Sequence, residues 1–311
     1  MDNKGHSFSH EMPQVFRNLK QKILSSIPSW ESGLNISRAK SFVRDQGLRV
    51  PDLLVISQTD LSRLNNIVGS IPSLICLLTG DVTGRYLPEL QLSIVIRNPI
   101  MEEKNGTIYT ESMIVHELFH GTSAFDYYFG FPVDRQVVDG AKFVWCPKIG
   151  FGGRWLSSGG IFEEGFAEYF RGKYVLEMSS PEERKLLSKN LALEEGLPLS
   201  TSLEMTFFSL DGTPFDTTCP IKYLYLTEEN ERKGVIQLPA ALIFEAITKK
   251  NELFEDVLIK ARSDLTYLRQ LPKLFNSIGS GLYIKLRNIP DGEAGYTTGL
   301  IKTIEACNAL K

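Results

Sequence analysis

Histidine is scarce in this chain, with four in 311 residues. Two of them, His6 and His10, sit in the polar N-terminal stretch "MDNKGHSFSHEM". A histidine-rich metal tract is therefore excluded, and imidazole chemistry falls to the other two. Cysteine is equally sparse. Cys76, Cys146, Cys219 and Cys307 stand far apart and form no CxxC pair. That excludes a disulfide framework and a zinc knuckle, and reads as buried free thiols of a cytoplasmic protein. No charge of one sign dominates: the net charge is −3, with acids and bases mixed along the chain. An electrostatic footprint for nucleic acid or an anionic membrane is absent. No apolar run is long. The longest, "IVGSIPSLICLL" at 67–78, contains Pro72 and is too short to span a bilayer. The N-terminus lacks the apolar core of a signal peptide. The expectation is a cytoplasmic protein with no nucleic-acid or membrane partner, its oligomeric state left open.

Apolar residues, by contrast, are plentiful at 42%, against 23% charged, so a sizeable core can form. Apolar spacing predicts helices over 13–27, 36–47 and 59–69, and strands over 51–57 and 90–98. A helix is expected from about Thr110 to Ala124. A hairpin over 135–145 turns at Asp139-Gly140, and a glycine-rich loop occupies 150–160. Helices follow at 161–178, 181–195, 239–249 and 251–262. The fold class is therefore α+β. Residues 1–180 form a mixed lobe with a small sheet, and 181–311 form a mainly helical lobe, the two making one functional unit.

The stretch "VHELFHG" at 115–121 carries the chemistry. Residues i and i+4 of a helix project from one face, so His116 and His120 present both imidazoles to one ion. Glu117 follows the first histidine, where its carboxylate can take a proton from a water acidified by zinc. A third ligand is required, and no histidine remains downstream, so it is Asp, Glu or Cys. Asp126 lies six residues after His120, the spacing of a metzincin-like peptidase. That arrangement turns on a glycine three residues after the second histidine, and Ser123 stands there.

The other candidate is "GGIFEEGFAEYF" at 159–170. An HExxH helix followed by a helix reading EGFAEYF resembles the gluzincins, the thermolysin-like superfamily. The second motif is especially similar to the NEGFAEYF of aminopeptidase N-type enzymes. The resemblance covers about 110–175. It implies a zincin-like, two-lobed fold and a zinc ion held by His116, His120 and Glu164. It also implies that Glu168 supports a zinc-bound histidine from behind. The residues agree with this: Glu164 and Glu168 share a helical face, and Gly165 lets that helix come close to the metal site. Two features depart from the family. Glu163 stands where the aminopeptidases have asparagine, and the gap between His120 and Glu164 is longer.

A donor to the oxyanion is also expected. "AGYTTGLIKTIEA" at 294–306 resembles the helix bearing the catalytic tyrosine of aminopeptidase N-like enzymes, which points to Tyr296. Tyr223 and Tyr225 are alternatives. The GxMEN segment that reads a free substrate N-terminus is missing, so exopeptidase specificity is not supported. The strand over 91–97 is expected to bind an extended peptide by β-addition. The expected function is thus a zinc metallopeptidase acting on peptide or protein substrates, with Glu117 as general base. The rival readings are a non-hydrolytic zinc-binding pseudo-peptidase scaffold and a metzincin-like peptidase with Asp126 as third ligand.

Overall fold

The structure is a computed structural model. It describes residues 7–9, 11–68, 84–122, 124–129, 136–138, 141–149, 160–183, 244, 247–248, 250–277 and 279–287. In chain order the elements are β1 (Ser7–Ser9), α1 (Gln14–Ser26), α2 (Ile36–Asp45), β2 (Asp52–Ser57), α3 (Leu61–Val68), β3 (Gly84–Leu87), β4 (Leu92–Arg97), α4 (Pro99–Asn105), α5 (Thr107–His120), β5 (Ala124–Phe129), β6 (Gln136–Val138), β7 (Ala141–Ile149), α6 (Gly160–Met178), α7 (Phe254–Lys260), α8 (Leu265–Leu268), α9 (Leu271–Asn276) and α10 (Leu282–Arg287). Helices and strands are both present, so the class is α+β. Among the described residues no helix is long and apolar enough to cross a membrane.

A three-stranded mixed sheet, in the order β2-β4-β3, organises the first half. β2 runs parallel to β4, and β3 runs antiparallel to it. The alternation of a strand sends successive side chains to opposite faces. Leu53 and Val55 of β2 therefore enter one core, around α5, while Leu54 and Ile56 enter another, beneath α1 and α3. β4 does the same with Val95 on one side and Leu92, Ile94 and Ile96 on the other. Both faces are thus covered. This is why the two strands read as continuous apolar runs rather than as an alternating pattern.

α5 is the helix bearing the histidines, and it is buried from Ile108 to Phe119. It lies against the sheet on one side and against α6 on the other. Phe119 fixes the helix pair: its ring stacks on Phe170 at 4.4 Å and meets Phe166 edge-on at 5.5 Å. Burying such a ring contributes about 1.5–3 kcal/mol. Glu111 adds a polar clamp. It accepts hydrogen bonds from the Asn35 amide (2.9 Å) and the Tyr174 hydroxyl (2.8 Å), and it pairs with Arg38. The clamp ties α2, α5 and α6 together.

Several expectations are corrected. α5 stops at His120 rather than at Ala124, and β5 begins at Ala124. Gly121 makes the exit possible, because a Cβ there would stand 2.6 Å from Pro51 Cγ and 2.7 Å from Tyr86 Cε2. The strand predicted over 91–97 is not available for β-addition. It is central in its sheet, and β3, unseen in the sequence, takes the edge among the described residues. α4 was also unseen. Asn98 opens it by accepting from the amides of Ile100 and Met101, and Pro99 occupies its first turn. The hairpin exists as β6 and β7, with Val138 opposite Ala141. β7 also pairs with β5.

The helix expected over 181–195 is described only for 181–183, which are helical, and that over 239–249 only at isolated helical positions. The glycine-rich loop lies outside the described residues except Gly160. The described C-terminal helices do not stand apart. Phe254, Leu258, Leu271, Phe275 and Leu282 belong to the same core as Phe119 and Phe166.

Candidate metal centre

His116 and His120 stand one turn apart on α5. Their Nε2 atoms are 3.0 Å from one another. His116 turns its other ring nitrogen, Nδ1, toward Glu168 Oε2 at 3.1 Å. His120 turns its Nδ1 toward Glu163 Oε1 at 3.5 Å, the long end of hydrogen-bonding range. Both carboxylates come from α6. A carboxylate facing Nδ1 favours the ring proton on that side and Nε2 as the acceptor. The two Nε2 atoms converge at hydrogen-bonding distance, where a proton or a cation can be shared between them.

The spacing has a simple reading. Two imidazole nitrogens, each ~2.0–2.1 Å from a tetrahedral ion, stand about 3.3–3.4 Å apart. The observed 3.0 Å is within a few tenths of an ångström of that. Two imidazole nitrogens in this orientation match two positions of a tetrahedral zinc site, and 3.0 Å is also the length of an N–H···N hydrogen bond between the two rings.

Each carboxylate is held in turn by an arginine. Arg171 lies three residues after Glu168 and donates to both its oxygens at 3.2 Å. Arg262 forms a two-pronged pair with Glu163, one prong at 2.7 Å. Burial pushes both carboxyls up. The charges of Arg171 and Arg262, with hydrogen bonds from His116 and His120, outweigh it and hold Glu168 and Glu163 below the ordinary carboxylate value. Both are therefore charged near neutral pH, with Glu168 at hydrogen-bonding distance from His116 Nδ1 and Glu163 at ion-pair distance from His120 Nδ1.

Glu117, the expected base, is buried, at 5% exposed. Its side chain lies directly against the start of β3, where a Cβ at Gly84 would come within 2.7 Å of Glu117 Cγ and 2.8 Å of Oε1. Ser93 of β4 donates to the Glu117 carbonyl at 2.8 Å and locks that turn of the helix to the sheet. So β3 runs past Glu117.

The predicted residues are placed as follows. His116, His120 and Glu168 are brought together, while Glu117 follows His116 on α5 with its side chain against Gly84. Glu164 lies on α6 between Glu163 and Glu168 in sequence, and its side chain is outside the described residues. Among the described residues no group of three or more His, Cys, Asp or Glu assembles as a metal site. Asp126 sits on β5 opposite Cys146, not on a turn leaving the helix. Its side chain is not described. Tyr296, Tyr223 and Tyr225 lie outside the described residues. Sequence reasoning missed Glu163 as the partner of His120, and it missed Arg171, Arg262 and Gly84 altogether. Comparison with protein-family models, with curated proteins and with solved structures found no match.

Proposed function

We propose that the chain is a zinc-dependent metallopeptidase of gluzincin type, with the two-lobed, zincin-like architecture of that group. One observation carries the reading. Two imidazoles on consecutive turns aim their Nε2 atoms at one point while both Nδ1 atoms face charged carboxylates. His116, His120 and Glu164 would hold the ion. Helical phase supports Glu164: at 100° per residue, position 164 falls between 163 and 168, the two positions that already face the histidines.

Zinc, when bound, polarises the scissile carbonyl and acidifies a water. The chain supplies the rest. Glu117 takes a proton from the attacking water at its carboxylate and hands it to the leaving nitrogen. Burial beside Gly84 keeps bulk water from competing for that carboxylate. β3, the edge strand, offers its backbone to an extended peptide next to Glu117, the role first expected of 91–97. Tyr296 is the proposed donor to the oxyanion, on its sequence context.

The test is cleavage of a mixed peptide library, with zinc measured on the same samples. About one zinc per chain is expected, lost with activity on chelation. Glu117→Gln should retain zinc and fold while hydrolysis falls by roughly 10²–10⁴-fold or more. A wild type that binds zinc but cleaves nothing across a broad library would make the chain a scaffold. Glu117→Gln cleaving like wild type would remove Glu117 from the mechanism.

A further inference from the structure

Arg262 is fully buried, at 0% exposed, and comes from just beyond α7. Its guanidinium reaches two elements at once. Toward α6 it forms the two-pronged pair with Glu163. Toward α5 it donates to the carbonyls of Phe119 (3.1 Å) and His120 (3.2 Å) and to the Thr122 hydroxyl (3.1 Å). Its flat face lies 4.5 Å from the centre of the Phe166 ring. The carbonyls it meets are the ones a helix C-terminus leaves without intrahelical partners, at the negative end of the helix dipole. A cation there is explained by capping alone. The carboxylate is not. A buried ion pair is costly to desolvate and is often no more stabilising than apolar packing. Glu163 is also the position at which the chain departs from the asparagine of the aminopeptidases.

We infer that Arg262 is a positioning residue for His120. It clamps Glu163 against His120 Nδ1, so the ring keeps its proton on that side and its Nε2 lone pair turned toward His116. The same fork holds the His120 carbonyl, so the backbone and ring of one residue are fixed by one side chain. Arg262 acts through Glu163 and does not itself meet the ion. The inference rests on the metal-site reading for its zinc readout, while its tautomer readout needs no metal.

Two variants test it. Glu163→Met removes the carboxylate and leaves Arg262 its three acceptors on α5 and Thr122. Arg262→Lys keeps the charge but loses the two-pronged geometry. In metal-free protein, ¹⁵N spectra of the imidazoles should show His120 with its proton on Nδ1. Both variants should shift it toward Nε2–H, while His116, with Glu168 intact, stays as it was. Zinc affinity by chelator competition should fall roughly 10–100-fold in Glu163→Met and about tenfold in Arg262→Lys. Glu163→Gln, which keeps an acceptor, should recover part of the loss. A folded Arg262→Lys with altered melting but wild-type tautomer and zinc affinity would reduce Arg262 to a helix cap and overturn the inference. Glu163→Met with wild-type tautomer would do the same. If wild type shows the Nδ1–H tautomer but binds no zinc, the metal reading falls and the clamp stands.

Discussion

His116 and His120 are braced by the same sequence of groups, carboxylate then arginine, but over different distances. For His116 the brace is local. Glu168 and Arg171 lie one turn apart on α6, and histidine, acid and arginine are all at most 4% exposed. For His120 it is long-range. Glu163 keeps 19% of its side chain exposed, and its arginine comes from residue 262, well beyond α6. The local brace exists as soon as α6 packs on α5. The distant one exists only once the segment after α7 has docked. Geometry at the second histidine is thereby coupled to the folding of the C-terminal part, and geometry at the first is not.

The braces also differ in what remains when the acid is removed, and the largest expected effect follows from that. Without Glu168, Arg171 keeps one described acceptor, the Ser112 hydroxyl, and its Nη2 has no hydrogen-bond partner among the described residues. Glu168→Ala therefore strands a buried cation, and metal-free protein should lose about 3–5 kcal/mol. Without Glu163, Arg262 still donates to Phe119, His120 and Thr122. Glu163→Ala should cost less, about 1–3 kcal/mol. Denaturant unfolding of the two metal-free variants checks the order. Equal losses would erase the distinction between local and distant brace.

An intermediate effect is expected at Gly84, which touches neither brace. A Cβ there would stand 2.7 Å from Glu117 Cγ and 2.8 Å from its Oε1, so the buried glutamate or the strand must shift. On the proposed peptidase reading, Gly84→Ala should lower turnover by roughly 10–10²-fold, because displacing the proposed base by about an ångström has that cost. Zinc content should stay near wild type. If zinc falls as well, the histidines and Glu117 move as one body, and the two braces are not separable from the base.

The difference between the braces is also the difference between what was legible in the sequence and what was not. His116, Glu117 and His120 are readable because helical spacing alone brings i and i+4 together. Glu168 is readable through the EGFAEYF motif, and Arg171 was within reach as its i+3 neighbour on the same helix. Arg262 carried no signal, since nothing local distinguishes one arginine near a helix end from another. Among the strands, β2 and β4 announced themselves as branched apolar runs because both faces are buried. β3 did not, since "GRYL" is four residues long with no alternation. α4 was hidden behind Pro99, read as a stop for the strand, where it also starts a helix. The exit of α5 was misplaced by four residues because the demand on Gly121 comes from Pro51 and Tyr86, distant in sequence.

The smallest expected effect probes how far the local brace extends. Ser112 is fully buried on α5, one turn before His116. Its hydroxyl donates to the Tyr109 carbonyl at 2.7 Å and accepts from Arg171 Nε at 3.2 Å. The sequence His116, Glu168, Arg171, Ser112 thus leaves α5 and returns to it. Ser112→Ala removes the return contact and leaves the salt bridge in place. One neutral hydroxyl is worth about 0.5–1.5 kcal/mol of stability. Glu168 still faces His116 and still holds Arg171, so zinc affinity should change by less than about twofold. Chelator competition on wild type and Ser112→Ala, alongside unfolding of the metal-free forms, separates two cases. A small stability loss with unchanged affinity means that the brace ends at Arg171, and that the serine merely satisfies a buried donor. An affinity loss approaching that of Glu168→Ala means that the orientation of His116 is set by the closed loop of contacts. The local brace would then resemble the distant one, in which Arg262 also reaches back to the histidine helix.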